Sequence, residues 1–272
     1  MMEIRKIQMA AMSMRKNALK MAFECGSNAH LGGGLSLIDI LAVLYGDVMN
    51  CTDKTIEYDK KDKFILSKGH GVLGLYTALA EFKIFEESLL STFQKNGSDL
   101  IAHPVMNLKL GIESSNGSLG QGFSMAVGLA LAAKKQHKEY KTYVICGNGE
   151  CNEGSIWEAA MSAVNFKLDQ LTVIVDNNKL QSDGRSSEIM NVSEMKDIFS
   201  AFGFYVVSVD GHDIEALRHA FSLHCPNKPL AVIADTVKGK GIGFMENNNE
   251  WHHNRLTESQ YKQALLELES GL

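Results

Sequence analysis

Proline is scarce in this chain: Pro104, Pro226 and Pro229 are the only three in 272 residues. That leaves no room for a Pro-rich linker, and no low-complexity run or block of like charge takes its place. One continuous domain over 1–272 is expected, long enough to bury a large core. There is no basic excess either, since the formal net charge is −5. Nucleic-acid binding, which needs a basic face, is therefore argued against, whereas a locally basic pocket for a small anion is not. Cysteines are few and odd in number, at 25, 51, 146, 151 and 225, with no CxxC pair. Neither a disulfide framework nor a zinc knuckle follows, and a reducing cytoplasm is the plain setting. The N-terminus also lacks an apolar run fit for a signal core or a membrane span, because Arg15 and Lys16 interrupt it. Its apolar residues Ile4, Ile7, Ala11, Met14, Ala18 and Met21 step by three and four, which predicts an amphipathic helix.

What is present is alternation. Short apolar runs at 64–66, 143–146, 171–175, 205–209 and 230–234 each close on a polar or glycine turn. Helical patterns separate them, among them 72–85 and 155–166. Buried parallel strands have this signature. The expected fold class is α/β, a parallel sheet covered by helices on both faces. Ligands of such sheets sit beyond the carboxyl ends of the strands, where nearly all of these turns fall.

The second run ends in Gly147-Asn148-Gly149. Glycine has no side chain in the way of an approaching anion. Successive N–H groups in such a turn form an anion nest, and the following helix adds its positive end. Asn178 closes the next run, 30 residues after Asn148. Two neighbouring strand ends then offer oxygen ligands to one hard cation such as magnesium, bridged to phosphate. A strand followed by Gly-x-Gly is also an ordinary tight turn, and the residues by themselves leave both readings open.

Five further segments, in order, narrow the choice. Gly147-x-Gly149 with Asn177-Asn178 resembles the GDG…NN motif of thiamine diphosphate enzymes, and the text around it resembles transketolases in particular. The stretch from Asn28 to Gly33 is similar to the family's SGHPGG-like loop, with Leu31 where proline is usual. Leu66-Ser67-Lys68-Gly69-His70 is similar to LSxGH, and Ile101-Ala102-His103-Pro104 to a GHPE-like segment without its glutamate. The stretch from Ser115 to Gly122 resembles TGxLGQG, and Lys238-Gly239-Lys240-Gly241 with Trp251-His252 resembles the KGKG…WH end. The resemblance covers essentially the whole chain.

The resemblance implies a thiamine diphosphate-binding fold and a site. The cation, Mg2+ or else Ca2+ or Mn2+, would be held by Asn148, Asn178 and the carbonyl of Leu180. Thiamine diphosphate would meet Gly147, Gly149, Glu150, Asn178, His70 and His252, with Gly117 and Leu119 beside its rings. His30, His70, His103 and His252 would line the approach to the reacting carbon, orienting sugar hydroxyls and helping proton transfer. A histidine suits such work because its unperturbed pKa lies near neutrality. His137, His219 and His224 read as surface or helix-cap residues, while His212 and His253 read either way. Glu153 reads as a residue that holds a partner or tunes a hydrogen-bond network, or equally as a solvated charge at a helix start.

Two departures qualify the resemblance. Full transketolases continue into a second α/β domain that grips the pyrimidine ring and carries an activating glutamate, for which no matching segment exists here. The chain is thus expected to be the diphosphate-binding subunit of a split transketolase, inactive alone. It would work with a companion pyrimidine-binding subunit on sugar phosphates, two copies of each chain, with no nucleic-acid or membrane partner. The expected reaction is transfer of a two-carbon ketol unit from a ketose to an aldose. The alternatives are a related synthase of deoxyketose phosphates, a pathway-specific ketol transferase, or a non-catalytic partner subunit. The second departure is Asn148, where aspartate is usual. Asparagine keeps a neutral oxygen donor and loses one negative charge, so the hold on a cation should weaken by at least about 10–100-fold. A working site with a looser metal, a site that has lost catalysis and a simple motif variant are the three readings. The first agrees best with the intact remaining motifs.

Overall fold

A computed structural model describes residues 2–53, 55–192 and 194–271, so both ends of the expected 1–272 domain lie outside the described residues. Among the described residues five strands form one sheet: β1 (Lys63–Leu66), β2 (Thr142–Gly147), β3 (Leu171–Asn177), β4 (Tyr205–Asp210) and β5 (Leu230–Asp235). Their order is β1-β2-β3-β5-β4 and every pairing is parallel. The α-helices around them are α1 (Ile4–Glu24), α2 (Leu31–Leu35), α3 (Ile38–Val43), α4 (Val72–Glu81), α5 (Gln121–Lys135), α6 (Gly154–Asn165), α7 (Ser186–Ile189), α8 (Met195–Phe202), α9 (Ile214–Ser222) and α10 (Glu258–Ser270).

The strands alternate between two cores, as the two-residue period of a pleated strand requires. Phe64, Leu66, Tyr143, Ile145, Ile174 and Val232 point into a core shared with α1, α3, α4, α9 and α10. Ile65, Val144, Cys146, Val173, Val175 and Ile233 point into the other, under α5, α6 and α8. Both faces are thus covered, as the near-continuous apolar runs predict. In α1, Ile7, Ala11, Met14, Ala18 and Met21 are all buried, one stripe of an amphipathic helix. The apolar stretch 31–48 is long enough by composition to cross a bilayer, but 83% of it is buried inside the protein, where it forms core packing.

Two expectations shift. The run at 205–209 becomes β4, an edge strand whose residues are half-buried or exposed and none fully buried, with Tyr205 at 37% exposure. It lies last in the sheet, so one side of it has no neighbouring strand among the described residues. The helical pattern at 72–85 stops at Glu81. Lys83 turns into the left-handed region at φ 59°, and the Ile84 N–H bonds back to the Leu79 carbonyl, an end that satisfies orphan carbonyls.

Candidate functional site

The site begins where the strands end. Beyond β2 the Asn148 N–H donates to the Asp176 carbonyl at 3.1 Å, tying the ends of β2 and β3 together. After β3 the Leu180 N–H donates to Asn178 Oδ1 at 3.1 Å, an Asx-type turn that sets Leu180 beside the strand ends. Beyond β1 comes Lys68, and beyond β5 the segment carrying Lys238. All of these edges open on one cavity of about 280 Å³. It is lined by His30, His70, His103 and His252, by Gly117 and Leu119, and by Gly147, Asn148, Gly149, Glu150, Asn178 and Leu180. Every residue expected at the cofactor, the cation or the reacting carbon therefore lies on a single concavity at the carboxyl ends of the strands.

Lys68 and Lys238 line it too. Neither was expected there, although both stand inside the family-like motifs; a lysine at the end of an apolar strand was the available signal. Lys68 forms a buried ion pair with Asp176 and donates to the Gly33 carbonyl at 3.1 Å. Asp176 also accepts from Ser36 Oγ at 2.6 Å, from Thr236 Oγ1, and from Asn178 Nδ2 at 3.3 Å. Burial acts to raise its pKa, but Lys68 and these donors outweigh that and hold the carboxyl below its usual range. Lys238 Nζ donates to the Gln181 carbonyl and to Asn249 Oδ1, both at 2.8 Å, and so clasps the loop after β3.

Glu150 lines the cavity and also braces it. Its carboxylate accepts from Ser67 Oγ at 2.6 Å and from the backbone N–H groups of Gly120 at 2.8 Å and Gly147 at 3.0 Å. It straps three loops to one another. The N–H groups of Gly147 and Asn148 are consequently used within the protein, and the anion nest expected of that turn is not built from those two groups. Gly149 is needed for another reason. A β-carbon there would lie 2.8 Å from Cγ of Gln181, so glycine makes room for that side chain. The Gln181 amide nitrogen is buried on the cavity wall with no hydrogen-bond partner among the described residues. A buried donor left unpaired costs free energy, which an anion oxygen in the cavity would recover.

The histidines form one cluster. The His30 ring lies 5.4 Å from His70, 5.6 Å from His103 and 5.4 Å from His252, centroid to centroid. His253, open to either reading in the sequence, stacks on His30 at 4.3 Å. A two-way backbone pairing between Ala29 and Asn254, at 3.0 and 3.2 Å, holds these two segments together. Burial, then neighbouring His253, His252, His103 and Lys68, push His30 down to about 3. Burial, Lys238 and Lys68 push His252 down to about 4. His70 and His103 are lowered as well, burial first in both. The near-neutral value of a free imidazole thus gives way at His30, His70, His103 and His252 to rings that favour the uncharged form, each offering one donor and one acceptor. His212 stands elsewhere: it bonds Asp39 at 2.7 Å and accepts from the Val237 N–H at 2.9 Å, beside the buried Arg15–Asp39 pair.

Residues 8–268 match the family described as transketolase, thiamine diphosphate binding domain. The chain belongs to the transketolase family. An apulose-4-phosphate transketolase subunit from Phocaeicola vulgatus is 38% identical over 98% of this chain and 95% of that protein. The 6-deoxy-6-sulfo-D-fructose transketolase subunit SqwG of a Clostridium species is 40% identical over 97% and 96%. Among solved structures, transketolase from Campylobacter jejuni superposes with a TM-score of 0.88 at 30% identity, and that from Leishmania mexicana with 0.86 at 28%. These cover 98% and 97% of this chain but only 43% and 41% of the transketolase chains. The chain thus spans about two fifths of a one-chain transketolase and nearly all of the relatives named as subunits. The fold is that of the family's thiamine diphosphate-binding domain.

Proposed function

We propose that this chain, acting as one domain, is the diphosphate-binding subunit of a split, thiamine-diphosphate-dependent transketolase. The observation that carries the reading is the likeness, at 38% and 40% identity along 95% and 96% of their length, to relatives named as transketolase subunits. A companion pyrimidine-binding subunit completes the site, two copies of each chain in the assembly. The substrates are a ketose donor and an aldose acceptor bearing a terminal anion, a choice supported by the relatives' names, which refer to a sugar phosphate and a sulfo-sugar. The five cysteines are unpaired, which supports a cytoplasmic setting.

The cavity suits the cofactor. The unpaired amide of Gln181 and the ammonium of Lys238 face it from one side and Lys68 from another, fitting the diphosphate. Asn148, Asn178 and the Leu180 carbonyl would hold magnesium, or calcium or manganese in its place. When bound, thiamine diphosphate supplies the nucleophilic carbon and electron sink for the two-carbon unit. The chain's own residues do the rest. Gly117 and Leu119 would border the cofactor's rings, and the four imidazoles would orient the sugar hydroxyls. Because each is neutral, a ring takes a hydroxyl proton on one nitrogen only as it releases one from the other or passes it on. Glu150 keeps the loops of Ser67, Gly120 and Gly147 in register along the cavity.

The test is ketol transfer by this chain mixed with its companion, thiamine diphosphate and magnesium, with Asn148→Asp in parallel. Turnover by the unaltered pair is the expected result. Thiamine diphosphate bound without turnover in either form would favour the non-catalytic partner reading, which the loss of a carboxylate at position 148 recommends.

A further inference from the structure

We propose, building on the diphosphate site just described, that the cavity is an anion site first: it binds a diphosphate without metal, and takes a divalent cation only together with that diphosphate. The donors at the strand ends are neutral throughout. Asn148 turns its amide nitrogen to Ser186 Oγ at 2.6 Å, which leaves Oδ1 as its free oxygen. Asn178 accepts from the Leu180 N–H and donates to Asp176. The Leu180 carbonyl completes the set, and it too is uncharged.

The two carboxylates packed at these strand ends are already used. Asp176 takes Lys68, Ser36, Thr236 and Asn178, and Glu150 takes Ser67 and two backbone N–H groups. Among the described residues no group of three His, Cys, Asp or Glu side chains is arranged to hold a metal ion. The charged side chains lining the cavity, among those residues, are Lys68, Lys238 and Glu150. Lys68 is paired with Asp176 just behind the wall, so two ammoniums stand against two carboxylates and the balance is even; an aspartate at 148 would tip it to negative. A free cation therefore meets neutral oxygens with no net negative charge to draw it, while an anion meets the Lys238 ammonium, bonded only to neutral oxygens, and an unpaired buried amide. Hard cations are held mainly by charge and oxygen together, so here the diphosphate must bring the charge.

The titration behaviour of the wall agrees. Burial, then Lys68, push Lys238 down to about 8. His252 is lowered in the same way by burial and both lysines. A bound anion would reverse these shifts.

The experiment uses the full chain, freed of metal by chelation. Inorganic pyrophosphate is titrated calorimetrically in chelator, and protein-retained Mn2+ is measured by equilibrium dialysis with and without pyrophosphate. Pyrophosphate is expected to bind without metal, Mn2+ alone to show no retention, and Mn2+ with pyrophosphate to be retained. Asn148→Asp should gain Mn2+ retention without pyrophosphate, by about 10-fold or more. Ser186 can turn its hydroxyl to donate to the aspartate, so the local contact survives. Gln181→Leu should weaken metal-free pyrophosphate binding by about 5-fold or more, since a buried donor is lost. Retention of Mn2+ alone by the unaltered chain, or pyrophosphate binding only when Mn2+ is present, would overturn the proposal. Failure to bind pyrophosphate and thiamine diphosphate under every condition would instead overturn the diphosphate site itself, and this inference with it.

Discussion

Replacing Lys68 by methionine tests how the ends of β1 and β3 are held together. The Lys68 side chain is 2% exposed and that of Asp176 is fully buried. The substitution keeps most of the side-chain length and removes the charge, leaving Asp176 with Ser36, Thr236 and Asn178 as donors. An uncompensated buried charge of this kind costs about 3–5 kcal/mol. At about 2–4 °C per kcal/mol for a chain of this size, the melting temperature should fall by roughly 6–20 °C. The sign of the pH dependence follows from the depressed carboxyl. Its stabilisation is present above the unfolded-state pKa of Asp and is lost as pH falls through the lower folded value. Without Lys68, burial dominates and raises the carboxyl, so Asp176 is protonated at higher pH in the variant and the penalty shrinks on acidification. Urea unfolding at about pH 7.5 and about pH 5 should therefore show a smaller gap between the two proteins at the lower pH. The double variant Lys68→Met with Asp176→Asn should lose well under the sum of the single losses, because the pair couples. Additive losses, or a cost below about 1 kcal/mol for Lys68→Met, would refute the assignment of this pair as the brace of the site.

Other perturbations follow from the same geometry. Gly69→Ala puts a β-carbon 2.2 Å from the Asn116 carbonyl oxygen, which cannot move aside cheaply. Thermal unfolding should register a loss of about 1–3 kcal/mol or more, whereas Gly154→Ala, with nothing within 4 Å, should be neutral or stabilising by about 0.4–1 kcal/mol. Pyrophosphate binding should be accompanied by proton uptake near pH 8 and weaken as pH rises through about 8, where Lys238 loses its charge; calorimetry on either side of that pH, in buffers of differing ionisation enthalpy, reads both effects. Asp39→Asn strips the partner from buried Arg15 and from His212. It should cost about 3–5 kcal/mol, measured by denaturant unfolding.

Much of this was legible in the chain. The apolar runs mark five strands because a strand buried on both faces has no polar position, and the turns between them mark the site because parallel strands all end on one edge. The four histidines, Asn148, Asn178 and Leu180 could be named in advance since each stands in a short motif. The edge exposure of β4 was not readable, because an apolar run looks the same at the rim of a sheet as at its centre; only strand order distinguishes them.

The division has a physical basis. Local composition decides which segments become strands, which become helices and which residues stand at their ends, since period and turn chemistry act over a few residues. What each side chain does there depends on neighbours far away in sequence. Glu150 straps loops of the site together because Ser67 and Gly120 reach it from far away in sequence, a role its own neighbourhood does not spell out. Histidines that would titrate near neutrality in water are held uncharged by burial and by one another. Whether the loss of a carboxylate at Asn148 matters turns on the charges of Lys68, Asp176 and Lys238, brought from the ends of three other strands or the segments beyond them. Electrostatics and desolvation are sums over everything within reach, and only the folded chain puts those groups within reach.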